Sequence, residues 1–278
     1  MSSTRFAPTP SGEMHLGHFL NLLCIYSAAQ KYKLYTVLRI EDRDLQRCSV
    51  ENTVSILADL KNLPVLGQFD QIMPSQSKRT QRYQSFTEKL TAQKRLFTCS
   101  CSRKDILQKR SIYQDKPTCV SSCRDHKTME IAGLSLRLNF PEHELLDGLL
   151  VRNRDGVYSY EFTSVIDDYD DKITHVVRGR DLVPAEIRLH TLRGTLFAGS
   201  PKLIHIYHPL LFESSQQKLS KSRGSLGLRK MIADGWGRED LIGYCAYLLG
   251  VQQTIRPQSL AWWLTNGYEK LAQSQAIT

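Results

Sequence analysis

The sequence predicts an α/β fold built on an open, mostly parallel sheet, and three observations predict it. Strand-like and helix-like segments alternate over residues 3–94, the rhythm that lays helices on the faces of a parallel sheet. The rhythm resumes after Tyr158, behind a stretch at 97–157 that breaks it. The 278 residues are 41% hydrophobic and 23% charged, enough apolar material for a sizeable core, which excludes disordered, collagen-like and low-complexity chains.

Each element follows from its local pattern. Residues 4–7 read as a short strand, stopped by the breaker run Pro8-Thr9-Pro10-Ser11-Gly12. Residues 15–32 carry Leu16, Phe19, Leu20, Leu23 and Tyr26 at three- and four-residue spacing, a helix. Residues 34–40 form a β-branched and aromatic strand that ends in Glu41-Asp42-Arg43-Asp44. Amphipathic helices are expected over 50–63 and 80–96. In the insert, 134–140 is strand-like and Arg154-Asp155-Gly156 marks a turn. Beyond it come a strand at 173–178, a helix at 184–197 with Pro184 at its start, and a strand at 203–212. From 226 onward only helix is expected. The domain reading is therefore 1–96 as the first half of the α/β domain, 97–157 as an insert, 158–225 as the second half, and 226–278 as a helical C-terminal region.

Charge and composition narrow the partners. Lys and Arg total 37 against 28 Asp and Glu, a formal +9, which favours a polyanion such as nucleic acid or nucleotide. No apolar run approaches the roughly 18 residues of a membrane span, and the first residues lack an apolar signal region. A cytoplasmic protein without a membrane is the expectation, and no obligate protein partner is evident. Seven cysteines, an odd number, argue against a disulfide framework. Four of them, Cys99, Cys101, Cys119 and Cys123, cluster as C-x-C and C-x₃-C, and four thiolates can complete a tetrahedral zinc site.

Two motifs carry chemistry. The first runs Arg5-Phe6-Ala7-Pro8-Thr9-Pro10-Ser11-Gly12-Glu13-Met14-His15-Leu16-Gly17-His18. A strand, a Pro/Gly turn and a helix start is where an open α/β sheet binds phosphates. His15 and His18 share one helix face and can aim imidazole N–H donors at one polyphosphate, and Gly17 leaves room for a flat base against the backbone. The second is Lys218-Leu219-Ser220-Lys221-Ser222, followed by Arg223-Gly224. Two lysines three apart in a Ser/Gly-rich loop can reach phosphates whose charge grows as a leaving group departs.

Together these motifs resemble the two signatures of class I aminoacyl-tRNA synthetases. Leu38-Arg39-Ile40-Glu41-Asp42 and Val177-Arg178-Gly179-Arg180-Asp181-Leu182 narrow the resemblance to the glutamyl branch, over roughly residues 5–225. Within it the chain is most similar to the glutamyl-Q tRNA(Asp) synthetases, short paralogues that lack the anticodon-binding region and carry a zinc-binding insert. The resemblance implies a Rossmann-like class I synthetase catalytic domain with a zinc-binding insert and a short helical C-terminal region. It implies tRNA-independent activation of L-glutamate with ATP, with Mg²⁺ assisting, to glutamyl-adenylate. Transfer to queuosine in the anticodon of tRNA(Asp) would follow.

The resemblance also assigns roles. His15, His18 and Lys221 would be catalytic. Arg5, Phe6, Ala7, Pro8, Thr9, Glu41, Tyr160 and Arg178 would bind glutamate, and His15, Gly17, His18, Lys218, Ser220 and Lys221 would bind ATP. Physical chemistry fits this set: glutamate offers two carboxylates for arginines and one ammonium for Glu41, and a cation facing the side-chain carboxylate disfavours glutamine. One structural zinc is implied at Cys99, Cys101, Cys119 and Cys123. Cys119 stands where the family often has tyrosine, so Tyr113 and His126 remain alternative ligands. Thr9 and Ser11 exchange hydroxyls with the family pattern, and Glu161 and Phe162 depart from it after Tyr160. Three rivals stand beside this reading: a truncated glutamyl-tRNA synthetase charging an RNA 3′ end, a non-catalytic RNA- or nucleotide-binding paralogue, and another nucleotidyltransferase of the same fold. The chain after Ser222 is shorter than the roughly 100 residues of a separate anticodon-binding domain, which favours an RNA whose reacting hydroxyl lies near the part that is gripped.

Overall fold

The computed structural model describes residues 1–63, 66–108, 123, 133–211 and 227–269. In chain order the elements are β1 (Ser3–Phe6), α1 (Leu16–Tyr32), β2 (Tyr35–Leu38), α2 (Val50–Lys61), β3 (Gln71–Ile72), α3 (Thr80–Ala92), β4 (Leu96–Cys99), α4 (Arg103–Gln108) and β5 (Ser135–Leu138). There follow β6 (Leu150–Arg152), α5 (Tyr160–Asp170), β7 (His175–Gly179), α6 (Val183–Leu196), β8 (Ile204–His208), α7 (Leu228–Ala233), α8 (Arg238–Leu248) and α9 (Leu260–Trp262), which continues as a π-helical turn over Trp263–Tyr268. The chain divides into two compact units. The first is Met1–Ser75, Ile173–Val183 and Leu203–Thr278; the second is Gln76–Lys172 and Pro184–Lys202. The mixed α/β architecture agrees with the fold class read from the sequence. The boundaries of the units fall at other positions than the 97–157 insert, because helices on both sides of that stretch pack with it.

The first unit is built on parallel strands. β1, β2 and β3 pair in that order, with Arg5 opposite Val37 and Phe6 opposite Leu38. β7 and β8 form a second parallel pair. The two pairings meet at one point: the Thr174 N–H donates to Ser3 O at 3.1 Å, and the Ser3 N–H to Thr174 Oγ1 at 2.8 Å. β1 therefore has β2 on one side and the lead-in to β7 on the other. The strand order reverses there, and in open α/β sheets ligands bind outside the C-terminal ends of the strands at such a point.

Helix α1 is apolar nearly all round, as a helix inside a core must be. Leu16, Phe19, Leu20, Leu23 and Ile25 are all buried, and Leu241, Ile242 and Ala246 of α8 join them in one cluster with Trp263. The Trp263 Nε1–H donates to Ser27 Oγ at 3.1 Å and that hydroxyl donates to Leu23 O at 2.7 Å, so the indole's polar edge is satisfied inside the core. A Cβ on Gly243 would lie 1.9 Å from Arg256 O, so this close approach to α8 requires glycine.

The second unit holds an antiparallel sheet, β4-β5-β6. Tyr83, Phe86, Leu138, Phe162, Ile166 and Leu192 form its core. Asp167 of α5 is fully buried there and accepts from Gln76 Nε2 (2.7 Å), Arg79 Nη1 (3.2 Å) and Tyr83 Oη (3.0 Å). Arg79 also reaches Asp171 at 2.9 Å. Buried charges persist when paired and hydrogen-bonded in this way.

Two expected elements are shortened: the strand read over 203–212 ends at His208, and a helix gives way to a strand. The helix read over 80–96 stops at Ala92, and Leu96 opens β4. Lys94 takes the left-handed conformation (φ 57°) and its N–H bonds Thr91 O, which turns the chain from helix into strand. The short strands β3 and β6 also have no counterpart in the sequence reading.

Candidate active site

The first motif follows β1 directly, at the end of the strand where the order reverses. Beyond the strands the β1–β2 ladder continues, with Arg39 N–H donating to Phe6 O (3.0 Å) and Glu41 N–H to Pro8 O (3.0 Å). Phe6, Ala7, Pro8 and Thr9 thus run beside the Glu41 segment. Arg5 is the penultimate residue of β1, Arg178 the penultimate residue of β7, and Glu41 lies three residues past β2. All three are buried charges at the same end of neighbouring strands. Glu41 Oε1 accepts from Arg39 Nη2 at 3.2 Å, with Arg39 0% and Glu41 2% exposed. Buried charges persist when they are paired in this way. Arg178 Nη2 donates to His205 Nε2 at 3.0 Å.

The two histidines shape the start of α1. His15 is its N-cap: Nδ1 accepts from the Gly17 N–H at 3.0 Å, while His18 Nδ1 accepts from the His15 N–H at 3.1 Å. The rings lie 4.0 Å apart, tilted by 35°. Because both Nδ1 atoms accept, the ring proton of each neutral imidazole sits on Nε2. Gly17 gains a second reason here. A Cβ at that position would come 2.9 Å from His15 Cε1 and 3.0 Å from Nδ1, so only glycine lets the ring fold back over the helix start.

Lys218, Ser220 and Lys221 lie outside the described residues, which resume at Gly227. Gly227 bridges His15 as an antiparallel partner, and the Leu228 N–H donates to Met14 O at 2.9 Å. Arg229, just inside α7, donates to Asp59 Oδ1 (3.3 and 3.1 Å) and Ser55 O (3.2 Å) on α2. Burial pushes the Asp59 carboxyl up, against the opposing pull of Arg229. Sequence reasoning missed this anchor, although an aspartate on the face of α2 that also carries Ile56 and Leu60 was a signal for a buried pair.

Tyr160 belongs to the second unit, as the first residue of α5. It lines a cavity of about 660 Å³ with Cys101, Arg137, Asn153, Arg154 and Glu161. Glu161 and Phe162, the departures from the family pattern, have structural partners. Glu161 Oε1 accepts from Arg188 Nε at 3.3 Å, both buried, and Phe162 is in the core, its ring stacked 5.9 Å from Tyr158.

Cys99, Cys101 and Cys123 come together, their sulfurs within 4.8 Å of one another. Cys101 Sγ and Cys123 Sγ are 3.6 Å apart, too far for a disulfide and close to the spacing of two thiolates on one tetrahedral zinc with Zn–S bonds of about 2.3 Å. Cys99 and Cys123 are buried. The donor set fits a metal ion, with a fourth ligand to be supplied. Cys119, Tyr113 and His126 lie outside the described residues. Among the described residues no helix is long and apolar enough to cross a membrane.

Comparison with known proteins gives the family. Residues 2–133 and 134–257 match the family described as tRNA synthetases class I (E and Q), catalytic domain. Similar curated proteins include the glutamate–tRNA ligases of Nitrosospira multiformis (32% identical, 89% of this chain, 57% of that protein) and Nitrosomonas europaea (31%, 89% and 58%). A glutamate-tRNA synthetase structure from Elizabethkingia anophelis shares the fold at 23% identity with a TM-score of 0.63, over 84% of this chain and 54% of that one. The chain thus spans little more than half the length of these relatives. Through its catalytic domain, it belongs to the class I tRNA synthetases of the E and Q family.

Proposed function

We propose that the chain activates L-glutamate with ATP, without RNA, and transfers the glutamyl group to queuosine in the anticodon of tRNA(Asp). The activation step is supported by the placement of the buried Arg5, Arg178 and Glu41 toward the same end of β1, β7 and β2, in a unit whose α1 N-terminus is capped by two histidines. Two cations and one anion are the complement of an amino dicarboxylate. The glutamate α-carboxylate oxygen attacks the α-phosphorus of ATP, and pyrophosphate leaves. His15 and His18 offer Nε2–H donors to the phosphates, and Lys218 and Lys221, with Ser220 between them, meet the charge that grows on the leaving group. Mg²⁺ would share that charge. Tyr160 would add a hydroxyl donor to the amino acid, and Gly17 and Thr9 border the nucleotide and glutamate. An acceptor hydroxyl then attacks the adenylate carbonyl, and AMP departs.

Cys99, Cys101 and Cys123, with Cys119 as fourth ligand, would hold one structural zinc. A site closed by four sulfurs leaves no open position for catalysis and staples the 97–157 insert instead.

The queuosine acceptor rests on the motif resemblance and on the +9 charge, which suits an RNA stem-loop. A second reading, glutamylation of a tRNA 3′ end, is favoured by the names of the relatives at about 30% identity. One experiment separates them: glutamylation of tRNA(Asp) with and without queuosine, with nuclease digestion and mass spectrometry of the product. Label on the queuosine nucleoside is expected; label on the 3′-terminal adenosine establishes the second reading.

A further inference from the structure

Arg178 is oriented by a neighbour that the motifs do not include. It sits on β7 opposite Tyr207 of β8, while His205 pairs in register with Val176. His205 and Tyr207 share one face of β8, two residues apart, and the imidazole reaches along that face to the guanidinium. The contact is Arg178 Nη2 to His205 Nε2 at 3.0 Å. A guanidinium has donors only, so His205 Nε2 must present its lone pair and Nδ1 must carry the proton. The ring lies 6.0 Å from that of the buried Tyr207, which limits where it can turn.

We propose that His205 is a positioning residue that sets the plane of the Arg178 guanidinium for a substrate carboxylate. The inference rests on the reading of Arg178 as a carboxylate ligand. Bidentate recognition needs the planar fork held within about 10–20° of its productive orientation. The imidazole does this as a hydrogen-bond acceptor, through the Nε2 lone pair. The Arg39–Glu41 pair works differently, since each of its charges offsets the other.

The test compares His205→Leu and His205→Gln in the full chain, by glutamate-dependent pyrophosphate exchange and by calorimetric titration with glutamate. Gln Oε1 stands about where Nε2 stood and can accept the same bond; leucine cannot. His205→Leu is expected to raise the glutamate KM and Kd about tenfold, which is about 1.4 kcal/mol, with kcat within about twofold and the ATP KM unchanged. His205→Gln is expected to stay within about threefold of the wild type. Unchanged glutamate binding in His205→Leu, equal losses in both variants, or a fall in kcat without a rise in KM would each overturn the inference. Should His205→Leu fail to fold, His205→Asn replaces it, because its shorter amide falls short of Arg178 and must weaken binding where Gln does not. A wild type that binds no glutamate overturns the reading of Arg178 and this inference with it. Normal wild-type binding with unaffected variants overturns the inference alone.

Discussion

His15 and His18 cap the same helix through each other: the His15 backbone N–H bonds the His18 ring at 3.1 Å, and the His15 ring bonds the Gly17 N–H at 3.0 Å. One arrangement satisfies two donors at the start of α1 and uses the Nδ1 atom of each ring as an acceptor. Stability and chemistry therefore depend on the same two side chains.

Gly17→Ala separates those roles. The new Cβ would push the His15 ring from its cap, at a cost of about 1 kcal/mol. Alanine recovers about the same amount through helix propensity. The melting temperature should hardly change, while pyrophosphate exchange falls by at least about tenfold. Wild-type exchange in this variant would show that the ring position does not matter.

Lys221→Ala should slow adenylate formation by about 10²–10³-fold with little change in the glutamate KM, as expected for a contact that strengthens as the leaving group gains charge. Arg178→Ala should instead weaken glutamate binding. Pre-steady-state and steady-state kinetics measure both; a Lys221→Ala effect confined to the glutamate KM would reassign that lysine.

The cysteine cluster predicts one zinc per chain by elemental analysis. Cys101→Ser should lose the metal and lower the melting temperature, since metal held by a folded site contributes its binding energy to folding. A metal-free wild type that melts at the same temperature after chelator treatment contradicts the site.

Acid should destabilise the first unit through His208. Burial holds its imidazole below the ordinary value of 6.5. Its Nδ1–H donates to Pro209 O at 2.9 Å and Nε2 accepts from Asn21 Nδ2 at 3.1 Å. A proton on Nε2 would replace that acceptor with a second donor. The unfolded chain takes up this proton as pH falls through 6.5 and the folded chain resists, so the stability present above 6.5 is lost below it. His175 is shifted the same way by burial. Melting should drop between pH 8 and pH 5.5, and His208→Gln, which keeps an acceptor for Asn21, should drop less. An identical drop in the variant would assign the acid sensitivity elsewhere.

Asp167→Leu should cost about 3–5 kcal/mol, because Gln76, Arg79 and Tyr83 would lose their shared acceptor inside the core. Urea unfolding followed by circular dichroism measures it; a loss below about 1 kcal/mol would mean that Asp171 alone can hold Arg79.

What the sequence made legible was whatever is encoded locally. The breaker run before His15, the three- and four-residue spacing after it and the β-branched stretch before Glu41 gave strands and helices close to those observed. The overrun of the 80–96 helix has a local cause as well. The turn is made by Lys94 in a left-handed conformation, and lysine carries none of the signal that glycine or asparagine would. The partnerships were not legible. Asp59 with Arg229, Arg178 with His205, and Asp167 with its three donors join residues far apart in the chain, and no periodicity records which charges will meet.

The bond between Ser3 and Thr174 spans 171 positions, and this has a consequence during synthesis. A nascent chain that has emerged only through β3 can pair β1 with β2, yet the other edge of β1 waits for a strand not yet made. Long-range parallel pairing of this kind is slow, and an open strand edge invites pairing with other chains. Fragments that end before residue 173 should therefore associate with one another, while longer ones that include β7 close the edge themselves. Residues Ser3 and Thr174 thus set the earliest point on the ribosome at which this sheet can become safe from its neighbours.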